Sequence, residues 1–288
     1  MAQAEQKKEF SLEGNRKVGA FQSVSEDIEE LNIGMLRPSE ATELSLLGHR
    51  LKHLRKLTLT YGVIERLDFL ETFHSIRTLN CQLYDLKDYT GIGHCVKLTH
   101  LSVSASLSSV GSLEYLRHLS ELEWLRLEGP NPFKGVDKIE SLPKLKRMSL
   151  YAPKWKMEQF PLHFPSLEDL SISQGGYRSM DFVVNLERLT ALDIAYARKL
   201  VDFDAIGRLP HLRSLRIGHA ISGLQSCSQL GCSSTVEQIQ ISSCTKLCDI
   251  CSLSDWPALR EAKIYDCPLI PVAQIEMLRK TGKKVNGK

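Results

Sequence analysis

The hydrophobic triplet Leu-x-x-Leu-x-Leu, with other apolar residues replacing some leucines, recurs eleven times along the chain. Successive triplets start 22 to 26 residues apart. Such spacing is typical of a solenoid, because each unit buries its apolar side only by stacking on its neighbours. The triplets are Ile28/Leu31/Ile33, Leu54/Leu57/Leu59, Ile76/Leu79/Cys81, Leu98/Leu101/Val103, Leu122/Leu125/Leu127, Leu145/Met148/Leu150, Leu167/Leu170/Ile172, Leu189/Leu192/Ile194, Leu212/Leu215/Ile217, Val236/Ile239/Ile241 and Leu259/Ala262/Ile264.

The triplet predicts a β-strand in each repeat. Its second and third apolar residues are two apart and therefore point to the same face of a strand. Each strand is followed by a crossover and then by another strand in the same sense, so the sheet must be parallel. The sequence thus predicts an α/β solenoid, a curved array with one parallel β-sheet of about eleven strands.

The return segments between strands carry apolar residues three apart, as at Leu200, Phe203, Ile206 and Leu209. This spacing favours short 3-10 turns or extended segments over long α-helices. Proline also recurs in register, since each of four prolines stands two residues before a triplet, where a missing N–H costs little. These prolines are Pro143, Pro165, Pro210 and Pro257.

The segment Leu200–Leu212 reads Leu-x-Asp-x-x-x-Ile-x-x-Leu-Pro-x-Leu, and with the short period it resembles the internalin-like, bacterial type of leucine-rich-repeat protein. Members of that family carry Asn or Cys in the turn after the strand, where this chain matches only at Cys244 and Cys267. We expect residues 1–27 to form an N-terminal cap and residues 28–269 to form the repeat array. Residues 270–288, with Pro271 and Gly282 as punctuation, are expected to form a capping helix and a basic tail.

Composition and charge exclude several classes of function. The chain has 42% hydrophobic and 25% charged residues and contains no apolar run long enough to span a membrane. Its formal net charge of +3 falls to −2 once the five positive charges of the last ten residues are left out. The array therefore lacks the basic excess of a nucleic-acid-binding surface. The polar start Met1–Lys8 does not resemble a signal peptide, so we expect a cytoplasmic protein.

The cysteines and histidines suggest no catalytic or metal site. Five of the eight cysteines lie close together, but no second Cys-x-x-Cys accompanies Cys248 and Cys251, so zinc binding is the weaker alternative to burial in the core. The chain has no nucleophile elbow, no His-Glu-x-x-His and no phosphate-binding glycine loop. We therefore predict a non-catalytic protein without a cofactor or metal.

The exposed strand positions point to a protein partner. Aromatic residues and arginines, the types that dominate binding hot spots, gather in the middle repeats. The predicted partner-binding residues on the concave sheet and its rim are His100, Trp124, Arg126, Glu128, Arg147, Tyr151, Asp169, Asp193, Tyr196 and Arg216.

Tyrosines in the loops after the strands, Tyr61, Tyr84 and Tyr177, are predicted to extend this rim. The family resemblance implies a protein that is monomeric when unbound, such as an immunity protein that neutralises a toxin. An adaptor or a secreted effector is the alternative.

Overall fold

The computed structural model describes residues 8–14, 16–17, 19–83, 85–105, 112–129, 139, 141–151, 164–219 and 221–287. The chain forms two compact units, residues 1–144 and residues 145–288. Each unit contains a parallel β-sheet in which strands adjacent in sequence are also neighbours in the sheet. This order follows from the short repeat, since every return segment leads the chain directly to the next position in the sheet.

The sheet of the first unit has six strands within the described residues. Its register pairs each triplet residue with the same triplet position in the next repeat, for example Leu57 with Leu79 and Leu79 with Leu101. The strands are β1 (Glu9–Leu12), β2 (Glu30–Gly34), β3 (Lys56–Gly62), β4 (Thr78–Leu83), β5 (His100–Ala105) and β6 (Trp124–Glu128).

The sheet of the second unit has seven strands within the described residues, in the same parallel register. Leu170 pairs with Leu192, and Leu192 pairs in turn with Leu215. The strands are β7 (Arg147–Tyr151), β8 (Asp169–Ser173), β9 (Ala191–Ala195), β10 (Ser214–Gly218), β11 (Gln238–Ser242), β12 (Glu261–Tyr265) and β13 (Lys284–Gly287).

The prediction of eleven strands at the eleven triplets is confirmed, because the triplets coincide with β2 to β12. The triplet side chains form the core. In β8, Leu170 and Ile172 are completely buried, while Asp169, Ser171 and Ser173 between and beside them are partly exposed. This alternation is what a strand with one buried face requires. Strands β1 and β13 carry no triplet and were not predicted.

Most return segments contain 3-10 turns, as their three-residue spacing predicts. Within the first unit these turns are Ala20–Ser23, Pro38–Glu40, Asp68–Thr72, Thr90–His94 and Glu114–His118. Within the second unit they are Asp181–Val183, Asp204–Arg208, Cys227–Leu230 and Cys251–Asp255.

Within the described residues, two α-helices accompany the 3-10 turns. Helix α1 (Ala41–Arg50) was not predicted, and it occupies the longest repeat spacing, the 26 residues between the first two triplets. Because the next repeat has only 22 residues, it accommodates no helix of this length. Helix α2 (Val272–Lys280) starts directly after Pro271 and ends before Gly282. Strand β13 follows α2 and pairs with β12, so the lysine-rich tail continues the sheet.

A ladder of left-handed residues marks the end of the strands. Among the described residues, seven non-glycine residues at the same repeat position have φ between +52° and +59°. Hydrogen bonds to the neighbouring repeat stabilise this costly conformation; the N–H of Tyr196, for example, donates to the Gly218 carbonyl at 3.1 Å. The seven residues are Met35, Tyr61, Gln174, Tyr196, His219, Ser243 and Asp266.

Close packing between repeats leaves no room for a side chain at some glycines. A Cβ added to Gly223 lies 2.0 Å from the backbone oxygen of Leu200, whereas one added to Gly176 meets nothing within 4 Å. We expect Gly223→Ala to lower the free energy of unfolding by about 1–3 kcal/mol, because the backbone must move apart. Gly176→Ala is the matched control and should change it by less than about 0.5 kcal/mol. Urea unfolding of both variants checks this, and equal midpoints would contradict the packing described.

Candidate functional site

The ten predicted partner-binding residues lie on the exposed face of the two sheets or directly after a strand. The structure places His100, Trp124, Arg126 and Glu128 in the first unit. The other six belong to the second unit: Arg147, Tyr151, Asp169, Asp193, Tyr196 and Arg216.

The β5–β6 patch consists of the four predicted residues of the first unit. The register sets His100 opposite Trp124, and their rings are tilted at 33° with centroids 6.2 Å apart. Arg126 donates a hydrogen bond to Glu128 at 3.0 Å, and the Ser104 hydroxyl donates to the same carboxylate at 3.2 Å. The charged groups of this patch are therefore already paired with each other, which leaves the Trp124 ring as its main apolar surface.

Three predicted residues lie on the first two strands of the second unit. Arg147 on β7 is opposite Asp169 on β8, and the exposed hydroxyl of Tyr151 accepts a hydrogen bond of 2.6 Å from Gln174. Gln174 is one of the left-handed residues that follow the strands. These side chains extend the exposed face of the second sheet away from β9.

The β9–β10 patch is formed by Asp193, Tyr196, Arg216, His219 and Gln240. Tyr196 and His219 follow β9 and β10 directly, and both are held in the left-handed conformation. Their rings stack with centroids 5.0 Å apart and planes 13° apart. Since the ladder hydrogen bonds fix the backbone of both residues, this exposed aromatic surface is pre-organised.

A depression of about 380 Å³ lies beside this stack. Small residues leave the space open, because Ala195 and Gly218 stand where larger side chains would fill it. A Cβ on Gly218 would lie 2.5 Å from the Ser242 hydroxyl and 3.0 Å from the Ser242 backbone oxygen, so a larger residue would force Ser242 to shift. Asp193, Arg216, His219 and Gln240 supply polar groups around the depression.

The Asp193 carboxylate at this depression is incompletely compensated. Its ion-pair partner, the Arg216 guanidinium, is 3.9 Å away, and no side chain in the described part of the molecule donates a hydrogen bond to it. Burial raises the pKa of Asp193, with a smaller contribution from Asp169, while Arg216 and His219 oppose the shift. A half-buried carboxylate of this kind favours a ligand that brings a hydrogen-bond donor or a positive charge.

Sequence reasoning missed His219, Gln240 and the depression itself. His219 shares its repeat position with Tyr196, so the repeat period predicts that both residues lie on the same rim.

The prediction that Tyr177 lies on the rim is wrong. Its ring packs edge-on against Phe182 at 5.8 Å and its hydroxyl is buried, which raises its pKa. Tyr61 is exposed in the first unit, as predicted, and Tyr84 lies outside the described residues.

The cysteines predicted for the core are buried, at Cys81, Cys95 and Cys227. Burial raises the pKa of the Cys81 and Cys95 thiols to about 12, so they remain protonated at neutral pH.

Within the described ranges, no three His, Cys, Asp or Glu side chains are grouped so that they could hold a metal ion. The same ranges contain no helix that is both long and apolar enough to cross a membrane.

Comparison with known proteins identifies the fold. No family model and no curated protein matches the sequence. Two solved structures from Listeria monocytogenes, both internalins, match the structure. The internalin InlF has a TM-score of 0.55 and 17% identity over 82% of this chain and 80% of its own. The fold is an internalin-like leucine-rich-repeat solenoid. Internalin C2 gives the same TM-score and identity over 71% of this chain and 92% of its own.

Proposed function

We propose that the protein is a non-catalytic protein-binding module that recognises its partner through the β9–β10 patch. The observation that carries this proposal is the depression beside the stacked rings of Tyr196 and His219. Tyrosine and arginine are among the residues enriched at binding hot spots, and both are exposed here, with Tyr196 in a pre-organised stack. The incompletely compensated Asp193 adds a polar feature that a partner can satisfy.

The repeat architecture supports the choice of a protein as ligand. The seven strands described in the second unit offer a long exposed face, and Arg147, Tyr151 and Asp169 lie on it beyond the patch. Solenoids use such extended surfaces for binding. The depression opens onto this face and is lined by charged and polar side chains, whereas small-molecule sites are usually enclosed and mostly apolar.

The proposal predicts that Tyr196→Ala weakens partner binding by about 2 kcal/mol, roughly thirtyfold, because the aromatic anchor is lost. Arg216→Glu should weaken it similarly, since the ion pair with Asp193 becomes a repulsion. The measurement is quantitative affinity capture from the source cells, with each variant compared with the original protein. The partner is then expressed and its dissociation constant determined by titration.

Glu187→Lys provides the control, because Glu187 is exposed and lies outside the patch in the same unit. It should retain the partner, and all variants should unfold at the same temperature. Full retention of the partner by both Tyr196→Ala and Arg216→Glu would contradict the proposal. Trp124→Ala and Arg147→Glu, measured in the same way, test the β5–β6 patch and the start of the second sheet.

The identity of the partner remains a prediction. The resemblance to leucine-rich-repeat proteins suggests an immunity protein that neutralises a toxin, with an adaptor or a secreted effector as the alternative. Growth of cells that express a candidate toxin, with and without this protein, separates these roles. Rescue by the original protein but not by Arg216→Glu is the result expected of an immunity protein that uses the β9–β10 patch.

A further inference from the structure

A groove of about 580 Å³ lies on the return side of the first unit, between helix α1 and the segments that follow β3. It arises from a mismatch between neighbouring returns, because a helix of ten residues packs against the shorter 3-10 turn Asp68–Thr72. The two elements are in tight contact at Gly48, where an added Cβ would lie 2.0 Å from the Thr72 hydroxyl. Toward the start of α1 they diverge, and Ala41, Thr42 and Ser45 line the open part of the groove.

The floor of this groove is apolar. Ile64 and Phe69 are buried beneath it, and Val63 lines it with 49% of its surface exposed. Leu46 follows Thr42 by four residues on the same helical face and is 65% exposed. Leu46 lies outside the lining of the groove, so the apolar surface that another molecule can cover there is centred on Val63.

The rim of the groove is acidic. Four carboxylates and one guanidinium belong to its lining, and part of this charge is already paired. Arg66 pairs with Asp68 at 2.8 Å, and Lys87 pairs with Glu65. Glu71 and Asp85 form no ion pair with any residue in the described part of the unit. These two carboxylates leave the groove with a net negative charge beside an apolar floor, although Lys87 is near enough to interact with Asp85 as well as with Glu65.

From this combination we infer that the groove binds a cationic, amphipathic peptide segment of a partner protein. An apolar side chain of the segment contacts Val63 and the floor, and lysine or arginine side chains pair with Glu71 and Asp85. Apolar anchors fix such a peptide in a groove, and rim charges add selectivity and speed of association. The groove is built from returns rather than from the exposed sheet face, so this inference is independent of the β9–β10 patch.

The test uses a short fluorescein-labelled peptide in which a leucine is flanked by lysines and arginines. Fluorescence anisotropy should show saturable binding that weakens as the salt concentration rises. A peptide with the same leucine but flanked by glutamates should bind at least about tenfold more weakly, because its charges are repelled by the rim. Equal binding of both peptides would overturn the inference.

The double variant Glu71→Lys/Asp85→Lys should lower the affinity for the cationic peptide by about tenfold or more, since two attractions become repulsions. Glu123→Lys/Glu187→Lys is the matched control, with the same change in net charge at two exposed carboxylates outside the groove. Equal loss of affinity in both double variants would mean non-specific charge attraction and overturn the inference.

The apolar part is tested by Val63→Ser, which should weaken binding of the cationic peptide severalfold while leaving thermal unfolding unchanged. Unchanged affinity would contradict a leucine seated on this floor. Analytical ultracentrifugation without peptide addresses the competing occupant. Self-association that Glu71→Lys/Asp85→Lys abolishes would assign the groove to a second copy of the chain and overturn the peptide inference.

Discussion

Replacing Glu40 with glutamine is expected to lower the free energy of unfolding by about 3–5 kcal/mol. Glu40 lies almost fully buried between two arginines of the first unit. Arg16 donates to its carboxylate at 3.0 and 2.7 Å, and Arg37 donates at 2.9 Å from both its guanidinium and its backbone N–H. The neutral amide leaves the Arg16 guanidinium, whose side chain is 3% exposed, without its counter-charge.

The pH dependence of stability provides a second readout for Glu40. Burial alone would raise the pKa of this carboxyl, but hydrogen bonds from Arg16 and Arg37 outweigh it and lower the pKa to about 2. A carboxyl with a lowered pKa in the folded state stabilises the fold above its unfolded pKa, near 4.5. That contribution is lost as the pH falls from about 4.5 toward about 2, so the unfolding free energies of the original protein and Glu40→Gln should converge there.

Glu121→Gln is the control for Glu40→Gln. Glu121 pairs with Lys144 at 2.7 Å, but both side chains are about half exposed, so we expect a change of no more than about 1 kcal/mol. Urea unfolding across this pH range measures all three proteins. A Glu40→Gln variant as stable as Glu121→Gln at neutral pH would contradict the buried-pair account.

Replacing Trp256 with alanine is expected to cost about 3–5 kcal/mol, because a fully buried indole in the return segment before β12 is lost. Its ring N–H also donates a hydrogen bond of 3.2 Å to the Gly231 carbonyl in the preceding repeat. Trp256→Phe keeps most of the volume but leaves that carbonyl unpaired, so a smaller cost of about 1–3 kcal/mol is expected.

The urea midpoint should be highest for the original protein, lower for Trp256→Phe and lowest for Trp256→Ala. This order would show that both the volume of the indole and its hydrogen bond contribute to stability. Equal midpoints for the two variants would mean that the surrounding residues close over the vacated space. A Trp256→Phe variant as stable as the original would mean that the hydrogen bond to Gly231 contributes nothing.

The strands were predictable because each triplet repeats the same packing problem. One face of every strand from β2 to β12 must be buried, and apolar residues two positions apart in the sequence indicate that face. Strands β1 and β13 were not predicted because an edge strand needs only partial burial and therefore carries no full triplet. Strand β13 contains a single buried apolar residue, Val285, in a lysine-rich segment. The three-residue spacing of the other returns does not predict helix α1, because α1 lies in a longer repeat that has room for a helix.

The site was only partly predictable. Tyr196 and Arg216 are exposed and Asp193 is half-buried on the sheet face and its rim, where their repeat positions predict them. The stack with His219 depends on left-handed backbone geometry, and the depression depends on the missing side chain of Gly218. Neither feature can be predicted from the spacing of apolar residues in the sequence. Tyr177 shares the residue type of the rim tyrosines, yet it packs on Phe182, because residue type alone does not determine side-chain direction.

The most direct test of partner recognition places a photo-crosslinking amino acid, benzoylphenylalanine, at Tyr196 in the source cell. Tyr196 is 43% exposed at the rim of the β9–β10 patch, and the new side chain retains an aromatic ring there. The same amino acid at the exposed Glu187 provides the control. We predict one discrete cross-linked protein, identified by mass spectrometry, from Tyr196 and not from Glu187. No cross-link at Tyr196, or the same products from both positions, would contradict recognition through this patch.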